Sequence, residues 1–218
     1  MNQPRVRRWG GLCVDGFPFI LPALALVMIF SGLGFLGPAV LFFVLFVFIA
    51  WFFRDPERSV PSETGAIVSP ADGKVIGVST VPYPRMLVGQ ATRVSIFMSV
   101  FNVHVNRIPF GGIVRDVAHN PGKFFAAYAD KASEQNEQAT TLIDTDRGIP
   151  ILVVQIAGLI ARRIACRVSP GERVTTGERY GLIRFGSRCD LYLPPSADVR
   201  VKSGDCVAGG KTVLGVFR

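Results

Sequence analysis

The chain has 218 residues, a formal net charge of +8 and 49% hydrophobic residues. This length accommodates one domain plus an additional segment. The basic residues are dispersed and no nucleic-acid-binding motif accompanies them, so we expect no nucleic-acid partner. The four cysteines form no Cys-x-x-Cys pair. We therefore expect neither a disulfide framework nor a metal site, and we interpret the cysteines as small buried residues in a reducing compartment.

The first predicted element is an apolar segment without any charge, residues 16–53. A membrane-spanning helix needs about 20 apolar residues, and this segment has roughly twice that length. Its middle, residues 31–38, contains three glycines and a proline, which predicts a turn between two apolar helices. This hairpin either spans the bilayer or inserts into one leaflet. A cleaved signal peptide is a weaker interpretation, because the segment is too long and no Ala-x-Ala site ends it.

Arginines flank the apolar segment on both sides: Arg5, Arg7 and Arg8 precede it, and Arg54 and Arg58 follow it. Cations at both ends predict that both ends stay on the cytoplasmic side. We therefore expect residues 1–58 to form an N-terminal anchor in the inner cell membrane. Residues 59–218 are predicted to form a second domain on its cytoplasmic side.

The second domain consists of short β-branched segments separated by Gly, Pro and Asp. Strands are predicted at 66–69, 74–78, 93–98, 103–109, 199–201 and 213–216 and within 149–164, and one helix at 124–138. Residues 170–177 and 203–209 repeat a strand-turn unit. We therefore predict a mainly β fold, a β-barrel or barrel-sandwich hybrid with one or two short helices, beside the N-terminal helical hairpin.

Few residues of this domain could carry proton chemistry. The only histidines are His104 and His119. His104 lies in an alternating run that predicts a strand face shared with Asn102 and Asn106. It could act as a proton carrier or as a hydrogen-bonded structural residue. His119 is predicted in a loop before the helix, and Asp72 in a Pro-Ala-Asp-Gly turn, where Asp commonly fixes the backbone.

The dipeptide Gly186-Ser187 lies in the run 180–194, which resembles the self-cleavage site of the short bacterial and archaeal phosphatidylserine decarboxylases. Taken alone, a Gly-Ser pair is most often a turn. Further stretches resemble the same family in the same order along the chain: 53–58, 69–75, 97–109, 121–124, 131–137 and 155–164. The resemblance rests on this spread of matches from residue 53 to residue 194.

The resemblance implies a proenzyme that cuts itself between Gly186 and Ser187. Attack of the Ser187 hydroxyl on the Gly186 carbonyl would start the reaction, and glycine allows the close approach. The products would be a β chain, residues 1–186, and an α chain, residues 187–218, which stay together as a heterodimer or within a higher oligomer. Ser187 would become a pyruvoyl group, a pyruvate cofactor built into the chain. It would form a Schiff base with phosphatidylserine in the bilayer and release CO2 to give phosphatidylethanolamine.

The resemblance also implies roles for other residues. His104 would transfer protons, and Asp72 would be the carboxylate that orients a histidine. Longer relatives carry a second histidine at the position of Arg107. Either His104 therefore serves both self-cleavage and decarboxylation, or an unidentified group serves one of them. From the residues alone, Arg107, Lys123 and His119 are candidates for substrate binding, the two cations through the lipid phosphate; the alternatives are solvated surface charge for the cations and a surface or loop-fixing role for His119.

Two alternatives remain open from the sequence. The chain could be a pyruvoyl decarboxylase that acts on another amine-bearing lipid. It could also be a membrane-tethered barrel-sandwich adaptor without catalytic activity. Chain integrity separates these classes, since an adaptor stays whole and the enzyme matures into two pieces.

Overall fold

The computed structural model describes residues 5–84, 89–122, 136–158, 164–184 and 186–217. This part of the chain divides into two compact units. Val6–Glu57 forms the first unit, and Arg5 together with the residues from Arg58 onwards forms the second. The division lies beside the boundary predicted after residue 58. The roles of anchor and catalytic domain stay predictions.

The first unit is a hairpin of two apolar helices preceded by a short β ribbon. Its elements are β1 (Arg8–Trp9), β2 (Leu12–Cys13), a 3-10 turn (Val14–Gly16), α1 (Phe17–Gly32) and α2 (Leu36–Phe52). Between the helices, Gly34 has a φ of +76°, a conformation that glycine adopts without strain. The rings of Phe30 and Phe42 stack between the helices with centroids 5.3 Å apart. The predicted pair of apolar helices and the turn within 31–38 are confirmed.

The N-terminal helix has the length and composition of a membrane span. Val14–Gly32 comprises 19 residues, and only 17% of its most apolar window is buried inside the protein. A signal sequence passes the same test of length and composition. A core helix of a water-soluble protein would be mostly buried, which this helix is not. The second helix, α2, is shorter with 17 residues.

Four of the five arginines that flank the apolar segment have partners in the protein. Arg8 pairs with Glu57, Arg54 lies over the ring of Trp51, Arg5 pairs with Glu172 and Glu178, and Arg58 pairs with Asp72. The charge at the ends of the hairpin is therefore partly compensated within the protein. This compensation reduces what these arginines can contribute to binding anionic head groups.

The second unit is mainly β, as predicted. Its strands are β3 (Ala66–Val68), β4 (Gly73–Pro82), β5 (Gln90–Met98), β6 (Val105–Arg107), β7 (Gly112–Asn120), β8 (Gln138–Thr145), β9 (Pro150–Ile156), β10 (Ile164–Cys166), β11 (Arg173–Val174), β12 (Arg179–Ile183), β13 (Ser187–Leu193), β14 (Ala197–Val199), β15 (Cys206–Val207) and β16 (Val213–Phe217). The largest sheet has the order β11-β7-β8-β9-β13-β5-β4-β15. Two three-stranded sheets have the orders β10-β12-β6 and β14-β16-β3.

Strand β13 lies near the middle of the eight-stranded sheet and is buried on both faces. It pairs antiparallel with β5 along its whole length and with β9 from Arg188 to Tyr192. Its residues Cys189, Leu191 and Leu193 enter the main hydrophobic core. We call the side of the sheet that carries them the inner face. Tyr192 packs into a second hydrophobic cluster on the opposite, outer face. Because side chains alternate along a strand, Ser187 belongs to the inner face.

The predictions about the local structure of His104 and His119 are corrected. Strand β6 begins only at Val105, so His104 lies outside it. The reason is a turn, in which the side-chain oxygen of Asn102 accepts hydrogen bonds from the amide and hydroxyl of Ser99, at 2.9 and 2.8 Å. His119 lies in strand β7 rather than in a loop, because β7 pairs with β8 as far as Asn120.

The predicted helix at 124–138 falls mostly outside the described residues. Its last residue, Gln138, begins strand β8 instead of ending a helix. Gln138 pairs there with Asn120 and Ile156 on the two neighbouring strands.

Candidate active site

Ser187 is the first residue of β13, and its hydroxyl is buried. The residue is 0% exposed, and its Oγ has no hydrogen-bond partner among the described residues. Gly186, directly before it, has a φ of +59°, and a Cβ added there would meet nothing within 4 Å. The glycine is therefore required by backbone conformation and not by lack of space. A buried hydroxyl without a partner among the described residues is unusual and requires an explanation.

His104 is fully buried beside the start of β6. Its Nδ1 lies 2.9 Å from the carbonyl oxygen of Asn102. A carbonyl can only accept, so Nδ1 carries the hydrogen, and Nε2 is the basic nitrogen of the neutral ring. This hydrogen bond fixes both the tautomer and the orientation of the imidazole, which a proton carrier needs.

The connections that carry His104 and Ser187 are held against each other at both ends. The backbone amide of Ile183 donates to the carbonyl of His104, at 3.4 Å. At the other end, Ser187 pairs with Met98 in the sheet. The chain from Met98 to His104 therefore starts and ends beside the chain from Ser187 back to Ile183. This topology brings the predicted proton carrier and the predicted nucleophile to one end of the sheets.

Asp72 lies in the turn between β3 and β4, and both of its carboxylate oxygens accept hydrogen bonds. Arg58 donates to Oδ2 at 2.8 Å, and the backbone amide of Gly209 donates to Oδ1 at 2.7 Å. The same turn contacts β6, since the amide of Arg107 donates to the carbonyl of Pro70 at 2.9 Å. These contacts fix the turn next to the strand that follows His104. The predicted role of Asp72 in orienting a histidine stays a prediction.

Arg107 and His119, the two described candidates for substrate binding, lie on separate strands, β6 and β7. Arg107 is only 5% exposed, and its Nη1 donates to the carbonyl of Gly177 at 3.1 Å. His119 is half exposed and lies 3.2 Å from Glu137. Strands β8 and β9 separate its strand, β7, from β13. Lys123 lies outside the described residues. The burial of Arg107 favours a structural role over contact with a bilayer surface.

A pair of buried amides, Asn106 and Gln155, also reaches this region. Gln155 Nε2 donates to Asn106 Oδ1 at 2.8 Å, and both residues are 0% exposed. The sequence analysis placed Asn106 on a polar face but did not single out Gln155. The only available signal was a glutamine inside the apolar run of β9, where a buried polar side chain needs a specific partner.

A buried ion pair follows Ser187 on the outer face of β13. Arg188 Nε lies 2.6 Å from Asp190 Oδ1, and Arg188 Nη2 donates to Ser95 Oγ at 2.7 Å. Arg188 is 1% exposed and Asp190 is 0% exposed. Sequence reasoning missed this pair, because charged residues that alternate with apolar ones normally indicate a solvated face.

On the inner face of β13, the surroundings favour neutral groups. Burial raises the pKa of Tyr180 well above its ordinary value, and the nearby thiols of Cys189 and Cys166 add to the shift. Burial also raises the pKa of the Cys189 thiol, an effect that Asp190 increases and Arg188 opposes. Both groups therefore stay protonated at neutral pH, in a medium of low polarity where hydrogen bonds and charges act strongly.

Comparison with known proteins identifies the family of this chain. Residues 45–215 match the model of a family described as phosphatidylserine decarboxylase. A protein of Geobacter metallireducens named phosphatidylserine decarboxylase proenzyme is 46% identical over 212 residues, which cover 94% of this chain and 96% of the relative.

Two further relatives carry the same name. That of Citrifermentans bemidjiense is 47% identical over 212 residues, with 94% of this chain and 96% of the relative covered. That of Syntrophotalea carbinolica is 46% identical over 217 residues, with 100% of this chain and 98% of the relative covered. Similarity of this extent, together with a family match over most of the chain, establishes that the chain belongs to the phosphatidylserine decarboxylase family.

Proposed function

We propose that this chain is the proenzyme of a phosphatidylserine decarboxylase that activates itself by cutting between Gly186 and Ser187. The observation that carries the proposal is the buried Ser187 hydroxyl, which follows a glycine in a left-handed conformation. Family membership supports the reaction class, and the resemblance of the run 180–194 to the self-cleavage site of the family supports this position of the cut. The products would be a β chain, residues 1–186, and an α chain, residues 187–218.

The cut needs only groups of this chain and one water molecule. Ser187 Oγ attacks the Gly186 carbonyl carbon, the C–N bond breaks, and the hydroxyl proton goes to the released nitrogen. The resulting ester loses the Gly186 carboxylate by β-elimination, with the Cα proton of residue 187 taken by a base. Tautomerisation and addition of water then release ammonia and leave a ketone at residue 187. His104, with its basic Nε2, is the candidate base.

A pyruvoyl group at position 187 would supply a ketone that condenses with a primary amine and accepts electrons as CO2 leaves. The surroundings of residue 187 fit this group, because the site is buried and the Ser187 hydroxyl of the precursor has no partner in the part of the chain that the structure describes. The chain's own contribution is to exclude water and to hold residue 187 at the end of β13. His104 would return a proton to the carbon from which CO2 leaves.

The substrate and the hairpin fit each other physically. Phosphatidylserine stays in the bilayer, so an enzyme that acts on it must hold its site at the head-group surface. The apolar hairpin α1–α2 would provide this attachment, with the catalytic unit on the cytoplasmic side of the inner membrane. The substrate, the sidedness and the pairing of the two chains are parts of this proposal.

The test is an intact-mass spectrum of the purified protein beside Ser187→Ala and a control, Ser203→Ala. Ser203 is exposed and lies in a turn of the α chain. We expect two chains from wild type and Ser203→Ala, split after residue 186. The small chain should be lighter by one ammonia than residues 187–218 with a free N-terminus. Ser187→Ala should remain whole. One uncut mass for folded wild type would refute the proposal and favour the adaptor.

The substrate is tested with the cut protein and vesicles that contain phosphatidylserine labelled in its carboxylate. Release of labelled CO2 is expected, and Ser187→Ala should release none. Vesicles with another amine-bearing, carboxylated lipid provide the comparison. Release of CO2 from the second lipid, with none from phosphatidylserine, would identify the second lipid as the substrate. The proposed self-cleavage would not be affected by that result.

A further inference from the structure

The amide pair of Asn106 and Gln155 crosses the inner face of β13 next to Ser187. Asn106 Nδ2 lies 3.8 Å from the sulfur of Met98, on one neighbouring strand, and Asn106 Oδ1 accepts from Gln155, on the other. Met98 pairs with Ser187, while Gln155 pairs with Cys189. The amides therefore span β13 between its first and third residues, on the face that also carries the Ser187 side chain.

A chain of hydrogen bonds determines which atom of each side-chain amide is the donor and which is the acceptor. Asn106 Nδ2 donates to the carbonyl of Pro70 at 3.5 Å, so its Oδ1 is the acceptor for Gln155 Nε2. This order leaves Gln155 Oε1 as an acceptor, and it is buried without a donor among the described residues. Gly181 packs over the same amide, since a Cβ there would lie 2.8 Å from Gln155 Nε2. The absent side chain makes room for the glutamine.

Ser187 Oγ and Gln155 Oε1 are complementary. One is a buried donor and the other a buried acceptor, and neither has a partner among the described residues. Their side chains occupy diagonal positions on adjacent strands, a separation that a long side chain can bridge. Leaving both groups unpaired in the interior is unfavourable, so a change of rotamer that joins them would stabilise the precursor.

We propose that Gln155, held by Asn106, is a positioning residue that accepts a hydrogen bond from the Ser187 hydroxyl and directs its oxygen at the Gly186 carbonyl. This inference rests on the proposed self-cleavage. The amide removes no proton, since it is neither a base nor titratable. It acts by limiting the orientations of Oγ before the bond to carbon forms, and misplacement of a reacting atom by about 1 Å can slow a reaction 100-fold.

The experiment follows the conversion of freshly synthesised precursor into two chains by mass spectrometry. Gln155→Met keeps the side-chain length but removes the acceptor. We expect its cleavage to be ~10–100-fold slower than wild type, with an unchanged shape of the rate–pH profile. Gln155→Glu, which keeps an acceptor oxygen at the same distance from the backbone, should recover part of the rate. Thr141→Val is the control.

Thr141 is a buried polar residue on the same face, in β8, and its hydroxyl lies 3.5 Å from the Cys166 sulfur. Thr141 pairs with Val153 of β9, and Val153 pairs with Leu191 of β13, so Thr141 is aligned with Leu191 and not with Ser187. Its variant should therefore cleave at the wild-type rate. Gln155→Asn, with the same amide one methylene shorter, serves if Gln155→Met does not fold, and the same slowing is expected.

The outcomes separate the two proposals. Uncut wild type would refute the self-cleavage itself. If the wild type is cut, and Gln155→Met and Gln155→Asn are cut as fast as the wild type, only the role of Gln155 is overturned. Equal slowing in Gln155→Met, Gln155→Glu and Thr141→Val, with lower unfolding midpoints, would also overturn it, because the effect would then come from packing.

Discussion

Neutralising Asp190 should destabilise the β unit strongly. Asp190 lies 2.6 Å from the guanidinium of Arg188, and the side chains of the two residues are 0% and 2% exposed. Asp190→Asn keeps the shape but leaves the charge of Arg188 buried without a counter-charge. Removing one partner of a buried ion pair typically costs 3–5 kcal/mol, and we expect about 3 kcal/mol because the amide oxygen still accepts a hydrogen bond.

The assay is urea unfolding followed by circular dichroism of the strands, in detergent and on a Ser187→Ala background that should keep the chain whole. Tryptophan fluorescence is unsuitable, because both tryptophans, Trp9 and Trp51, belong to the first unit. Glu63→Gln is the control. It breaks a pair with Arg200 whose side chains are 42% and 46% exposed, and such pairs contribute at most about 1 kcal/mol.

A double variant isolates the role of charge. Arg188→Met combined with Asp190→Leu replaces the pair by apolar side chains and should recover most of the lost stability, because neither charge then remains buried. A loss below about 1 kcal/mol for Asp190→Asn would contradict the reasoning. So would a double variant less stable than Asp190→Asn, since it would mean that the pair matters mainly through its shape.

Two further predictions concern the interior of the β unit. The stability of the precursor should be full below pH 9 and fall as the pH rises further, because the Cys189 thiol and the Tyr180 phenol ionise in the unfolded chain but are held protonated in the fold. Urea midpoints from pH 8 to pH 10.5 measure this, and Tyr180→Phe should lessen the decline without loss of stability at pH 8; an unchanged decline would contradict the assignment to Tyr180. His104→Ala should slow the self-cleavage, in which His104 is the candidate base, and any of its protein that is cut should release no CO2 from labelled phosphatidylserine; a variant that is cut and fully active would exclude His104 as the proton carrier.

The apolar helices and the β character of the second unit could be predicted from the sequence because they depend on local patterns. An uncharged run with a glycine-rich interruption specifies a helical hairpin, and β-branched segments between turn residues specify strands. The strand predicted over 103–109 was wrong for His104 because the Asn102 side chain forms a turn with Ser99. The alternation of polar and apolar residues is the same in the segment before Val105 and in strand β6. Only the hydrogen bonds distinguish the turn from the strand.

The position of Ser187 could be predicted from its resemblance to a family, but its surroundings could not. Met98 pairs with Ser187, and Gln155, which pairs with Cys189, donates to Asn106; these contacts join segments far apart in the chain, which no local pattern encodes. The buried charges of Arg188 and Asp190 were missed for a related reason. Both faces of β13 are covered, so alternation along this strand does not separate a solvated side from an interior one.

Under the proposed function, the location of Ser187 at the head of a central strand would link activation to correct folding. Ser187 pairs with β5, and the rest of its strand pairs with β9, so a misfolded precursor would lack the environment that the cut requires. After the cut, the new chain would still supply β13 to the middle of the eight-stranded sheet and β14 and β16 to a three-stranded sheet. Under the proposed function, cleavage would therefore occur only in chains whose sheet has assembled. The β chain and the α chain would then separate only if the protein unfolded.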